Sequence, residues 1–289
     1  MKIGANDIAD LKIGTTEINE VRLGSVLVWE RNTIDPDAQA FLTAAAITDP
    51  TIISAINTLV VDFKNSGLWT KMKAIYPFVG GTASTHKWNL KDPRDLDVAF
   101  RLVFSGGWNH SSNGITGNNV NTFANTYISP VSNLTVNSTH ASLYSRTNIA
   151  QAGVDLGASS LSTGRIAMQI KWSDNVSYQD MYRTITTRIA FPLGATPSTR
   201  LFIANRSSDS IFNLWRDSVK LSTNNNVSTD VLPSLNLYIG ARNANAVVTD
   251  LYTSRNYAFS TIGDGLNDLE CINLTTAINN FQLALSRQI

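Results

Sequence analysis

Charge is scarce in this sequence. Asp, Glu, Lys and Arg supply 16% of its 289 residues, against about 25% in a typical soluble domain. The net charge is +1, so the chain lacks the basic surface that a phosphate backbone requires, and no nucleic-acid partner is expected. Cysteine is nearly missing: Cys271 stands alone and cannot close an internal disulfide. No apolar run reaches the roughly 20 residues of a membrane span, so no membrane insertion is expected. Met1-Lys2 is followed at once by Gly4, Asn6 and Asp7 rather than by the apolar core of an export signal. These absences together imply synthesis in a reducing cytoplasm.

Glutamate is rarer still. The four are Glu17, Glu20, Glu30 and Glu270. A glycosidase needs two carboxylates flanking the bond it cuts, and only Asp is frequent enough to supply a pair. Asp92 with Asp95, and Asp95 with Asp97, fall in the stretch 91–97, which reads as a charged turn. The three histidines, His86, His110 and His140, sit in separate segments, with no H-E-x-x-H or C-x-x-C among them. Gly80-Gly81 and Gly106-Gly107 lack the Lys-Ser/Thr of a phosphate loop and read as turns. Asp174, Asn175 and Asp264 are oxygen donors without the spacing of a calcium loop. No catalytic residue, no metal site and no cofactor is therefore expected.

Asn, Ser and Thr fill the polar positions instead, and a repeat opens the chain. Ile3-Gly4, Ile13-Gly14 and Leu23-Gly24 recur every ten residues, with Ile8, Ile18 and Val28 at matching places. A short fixed period marks one small unit reused, and ten residues suit strands with Gly turns. Such strands cannot bury a core alone, so residues 1–31 read as an attachment or oligomerisation element built on Ile3, Ile8, Ile13, Ile18, Val21, Leu23, Val28 and Trp29. Residues 32–84 read as a helical linker subdomain. Asp35-Pro36 opens a helix with Phe41, Leu42 and Ala45 on one face, and Asp49-Pro50 caps a second, since Asp suits the N-cap and Pro the first turn. A third short helix is expected to carry Trp69, Met72 and Ile75.

From residue 85 to 289 the period changes to two. Ile166, Met168, Ile170 and Trp172 alternate with Ala167, Gln169 and Lys171, and Leu235, Leu237, Ile239 and Ala241 alternate with polar or small neighbours. Arg216-Asp217-Ser218 between two apolar runs signals a hairpin. A final apolar stripe, Leu269, Ile272, Ile278, Phe281 and Leu285, predicts a last helix. Many short alternating strands separated by turn residues predict a mainly β chain folded as an antiparallel β-sandwich.

Two resemblances sharpen this reading. The pattern from Ile13 to Trp29, with its spaced Ile-Gly and Leu-Gly and its closing Val28-Trp29, resembles a short N-terminal segment of tailed-bacteriophage virion proteins, especially tail and fibre components. The hairpin from Asn213 to Val219, then Tyr238-Ile239-Gly240, then Tyr257-Ala258-Phe259-Ser260, resembles the concanavalin-like jelly roll of laminin-G-type lectins and glucanases. Hydrolases of that fold carry E-x-D-x-E or E-x-D-x-x-E along one strand, and this chain does not.

The resemblances imply a non-enzymatic virion structural protein, a fibre, tail or capsid-decoration component, associated with other virion proteins and forming a homotrimer by analogy with phage fibres. Its lectin-like domain would face outward toward host-surface glycan. An aromatic platform with convergent polar groups is what glycan binding needs, and Trp108, Asn109, His110 and Tyr178 are the candidates. The alternative on the same fold is a carbohydrate-active enzyme, a polysaccharide depolymerase.

Overall fold

Sheets with an apolar face stack in pairs, and this chain builds one such pair. The computed structural model describes residues 2–3, 6–7, 11–13, 15–18, 20–30, 33–160, 164–182, 187–228, 231–244 and 248–289. Two compact units result, Met1–Pro36 and Asp37–Ile289.

The larger unit holds two sheets. In the first, Val219–Asn224, Ile211–Arg216, Arg200–Ser208, Thr139–Ser145, Asn256–Gly263, Gly114–Thr116 and Asn109–Ser111 lie side by side in that order. Met72–Tyr76 also pairs with Asn256–Gly263, beyond the Gly114–Thr116 contact along the same strand. The second sheet runs Ile189–Pro192, Val176–Met181, Arg165–Gln169, Leu156–Ser159, Tyr238–Ile239, Phe123–Asn125, Val103–Ser105. Its pairings are antiparallel except that Arg242–Ala244 runs parallel to Leu156–Ser159. Inward residues of both sheets, among them Leu143, Phe202, Phe212, Met168, Ile239 and Ile262, form one shared core. The expected antiparallel β-sandwich is therefore the fold.

Helices make a third layer. Leu201, Ile203, Tyr144 and Phe259 alternate with the core residues of the first sheet and are buried as well. The last helix, Asp268–Ala284, covers that face: Phe281 packs edge-on against Phe259, and Thr275 Oγ1 donates to the Asp217 carbonyl. Pro50–Asn65 packs beside it. Asp49 caps Pro50–Asn65, accepting from the Thr51 and Ile52 amides as the sequence predicts. Asn267 and Glu270 form a capping box on the last helix.

Four expectations require correction. Residues 68–76 are not a third helix. A 3-10 turn, Leu68–Lys71, leads into the strand Met72–Tyr76, because three apolar positions at a spacing of three are too few to outweigh pairing with Asn256–Gly263. The strand at 165 stops at Gln169, so Trp172 is not one of its core residues. Trp172 N–H donates to the Val176 carbonyl across a turn, and the ring is only partly buried. Lys171 is buried instead, its Nζ donating to the carbonyls of Gly194 and Thr196. On the last helix, Leu269 and Ile272 face solvent, while Cys271, Leu274 and Ile278 face the sheet. Finally, a ten-residue unit is a hairpin rather than a single strand.

That last point describes the smaller unit. Ile3 pairs with Asn6, Ile13 with Thr16 and Leu23 with Val26. In each unit, therefore, the Ile or Leu of the repeat pairs with the residue three positions on. Gly24, first of the two loop residues in the third hairpin, has φ +63°, the conformation a type II′ turn reserves for Gly. The described hairpins are three separate two-stranded sheets.

Candidate functional site

The two sheets end, on one side, in Val103–Ser105 and Asn109–Ser111. The connection between these edge strands crosses from one sheet to the other, and it carries Gly106, Gly107 and Trp108. Gly106 has φ +77°, and a Cβ there would stand 2.4 Å from the Asn121 carbonyl oxygen. This close approach sets the crossover against the loop 117–122, where Asn118 Nδ2 donates to Asn121 Oδ1. Asn109, Asn113, Asn118, Asn119 and Asn121 are all exposed on this edge.

Trp108 is half-buried rather than a free platform. Its Nε1–H donates to the Phe123 carbonyl at 3.1 Å, and its ring lies edge-on to Phe104. A Cβ on Gly240, whose φ is +85°, would stand 2.5 Å from Trp108 Cη2. The indole thus closes the end of the sandwich and offers only its remaining rim to a ligand. Beside it, Phe123 and Tyr238 stack at 4.5 Å between centroids with 14° between planes. Both are half-buried, on neighbouring strands. Sequence alternation could have turned Phe123 outward, but the pairing with Tyr238 needs a register across more than a hundred residues.

His110 completes the edge, and the structure joins it to His86. Their Nδ1 atoms lie 3.0 Å apart. His86 ends the short helix Ala83–His86, and the Gly81 amide donates to its Nε2 at 3.2 Å. Phe78 and Phe104 pack edge-on against the two rings. Burial first, then the neighbouring His110 and Arg287, push the His86 pKa down to about 3; burial lowers that of His110 too. Both rings are neutral at pH 7. The sequence places these histidines 24 residues apart, and no local pattern pairs them.

Tyr178 does not join this group. Its strand lies three places along the sheet from Tyr238–Ile239, about 14 Å away at the usual strand spacing. Its hydroxyl donates to Asp174, and the Arg188 guanidinium lies over its ring. The structure brings together Trp108, Asn109 and His110 and leaves Tyr178 out.

The carboxylates near this edge are already engaged. Asp92 pairs with Arg94, Asp95 with Lys87 and Arg101, and Asp97 with Arg101. Among the described residues no three of His, Cys, Asp and Glu converge as metal ligands would. A cavity of about 490 Å³ opens nearby, walled in part by Thr48, Asp49, Thr85, Ser112 and Arg287. Arg287 brings no free donor to it. Nε donates to Gln282, Nη1 to the Phe78 and Ser112 carbonyls, and Nη2 to the Pro77 and Ala258 carbonyls. What the edge offers is neutral hydrogen bonding beside aromatic surface.

In the smaller unit, Ile13 and Leu23 hold equivalent places before their glycines and are 72% and 77% exposed. Val26 and Val28 are exposed too, and Ile18 and Val21 are half-buried. Ile8 and the side chains of Ile3 and Trp29 lie outside the described residues.

No family model and no curated sequence matches the chain. Among solved structures, it is similar to domain 4 of AbnA, an extracellular arabinanase of Geobacillus stearothermophilus in complex with arabinotriose, at 10% identity over 71% of this chain and 98% of that one, with a TM-score of 0.47. A mutant Trypanosoma rangeli sialidase displaying trans-sialidase activity is similar at 12% identity over 78% of this chain and 39% of that one, with a TM-score of 0.48. A mutant NanB sialidase of Streptococcus pneumoniae is similar at 9% identity and a TM-score of 0.41, and the match spans 58% of this chain and 27% of the NanB chain. At such identities and TM-scores the likeness assigns no function to this chain.

Proposed function

We propose that this chain is a non-enzymatic structural protein of a tailed-phage virion, whose hairpin repeat attaches or trimerises it and whose sandwich meets host-surface glycan. The observation that carries the reading is the smaller unit. Two of the three two-stranded sheets present Ile13, Leu23, Val26 and Val28 to solvent, and isolated hairpins are marginal in water without something to bury their apolar side. The resemblance of residues 13–29 to an N-terminal segment of tailed-phage virion proteins supports a virion partner or further copies of this chain in that place. The Asn-rich edge at Trp108 supports the glycan half of the reading.

The test is assembly. In a complemented phage or particle, the Leu23→Asp, Val26→Asp double variant should lose incorporation while its sandwich keeps the wild-type melting temperature. Normal incorporation would sink the attachment role. A glycan array probed with the full chain tests the second half, and release of reducing ends from any polysaccharide on that array would turn the reading toward a depolymerase.

A further inference from the structure

The hydrogen bonds around His86 and His110 allow one arrangement of protons. The Gly81 backbone amide can only donate, so His86 Nε2, 3.2 Å away, accepts and carries no hydrogen. The neutral His86 ring then holds its proton on Nδ1. That proton points at His110 Nδ1, 3.0 Å off, which must accept it. His110 is left with its own proton on Nε2. Among the described residues no protein atom accepts from that Nε2, and it is not among the buried polar atoms left without partners there. It therefore reaches solvent, at the same edge as Asn109 and the rim of Trp108.

The same bonds argue against a metal bridging the pair. A metal on His86 Nδ1 would call for a proton on Nε2, the place where the Gly81 amide arrives, and metal-bound histidines ordinarily donate from their second nitrogen.

We propose that His86 is a positioning residue that fixes His110 as an Nε2–H donor, and that the edge recognises an acceptor oxygen of a sugar, a carboxylate or hydroxyl oxygen, through that one N–H. This inference rests on the glycan reading above for its ligand, but not for its proton relay. The neutral state is secured by surroundings as well as by hydrogen bonds. Phe78 packs on His86 and Phe104 on His110, with Trp108 against the far side of Phe104, and the charged group acting on the pair is Arg287, which disfavours a second cation. With Trp108 Nε1–H committed to the Phe123 carbonyl, His110 Nε2–H and the Asn109 amide are the side-chain donors left on this strand end.

The full chain labelled with 15N-histidine has three imidazoles to assign. His140 serves as an internal standard, because its Nδ1 faces the Asp264 carbonyl at 2.6 Å and must carry the proton. The expected spectrum shows His86 protonated at Nδ1, His110 protonated at Nε2, and a coupling across the hydrogen bond between the two Nδ1 nuclei. A His110 proton on Nδ1, or no such coupling, overturns the relay, and neither result depends on any ligand. In His86→Phe the coupling must vanish and His110 should sample both tautomers. A His110 that keeps a single tautomer there would overturn the positioning role. Titration with glucuronate and with glucose then reads the donor: at least one should move the His110 Nε2 resonance, and His86→Phe should weaken that response several-fold. An intact relay whose His110 Nε2 moves with neither sugar overturns the donor role, while an array on which the full chain binds no glycan at all marks the failure of the functional reading instead.

Discussion

Arg287 carries five N–H groups into the protein and meets five neutral oxygens there, with no carboxylate among them. Burial and the nearby Arg146 lower its pKa to about 9. Lysine offers three donors on one nitrogen, so Arg287→Lys leaves at least two of these oxygens without their arginine donor. Each such group costs about 1–3 kcal/mol, and a urea midpoint lowered by the equivalent of ~3 kcal/mol is expected. Trp108→Ala should also destabilise, by about 2 kcal/mol for a half-buried indole; an unchanged midpoint would return Trp108 to the surface. Histidine adds a pH dependence. His86 and His140, whose folded values are about 3 and about 4, protonate in the unfolded chain near pH 6.5. Both are depressed on folding, so their stabilisation is complete above pH 6.5 and drains away as the pH falls toward 4 and 3. Asp155 and Asp217, raised by burial, act in the opposite sense. The histidine part is isolated by comparison with His140→Gln, whose midpoint should fall less steeply between pH 6.5 and 4.5. None of this was legible in the sequence. An arginine answered by backbone carbonyls and a pair of histidines joined through Nδ1 leave no spacing to read.

At the scale of elements much more was legible. Asp49-Pro50 announced its helix because a cap is a local interaction. Arg216-Asp217-Ser218 announced its hairpin because Asp217, at φ +51°, takes a turn conformation that Asp tolerates. Readings failed where tertiary contact chose between local options. Met72–Tyr76 became a strand because Asn256–Gly263 had an open edge for it. The last helix turned its Cys271 and Leu274 side to the sheet, leaving Leu269 65% exposed although it is the more apolar choice. Leu269→Asn should therefore change stability by less than about 0.5 kcal/mol, whereas Leu274→Ala should cost about 2–5 kcal/mol. Reversed values from denaturation curves would restore the stripe read from the sequence. The repeat was visible as a period, but only pairing shows that Gly24 lies at a reversal inside its unit rather than at a boundary between units.

As a whole molecule, the chain consists of two units, of which the sandwich holds the core. No residue described up to Pro36 in the smaller unit is buried. Light scattering on the full chain should give an assembly larger than a monomer, most simply a trimer, and Leu23→Asp with Val26→Asp should shrink it; a monomeric wild-type chain would leave only attachment to a different protein. The sandwich, in turn, has its centre late in the chain. Asn256–Gly263 joins Thr139–Ser145, Gly114–Thr116 and Met72–Tyr76, so three earlier strands wait unpaired on that side until it arrives. Such long-range pairing slows folding. During synthesis Met72–Tyr76 must therefore wait, its pairing groups exposed, until Asn256–Gly263 has left the ribosome.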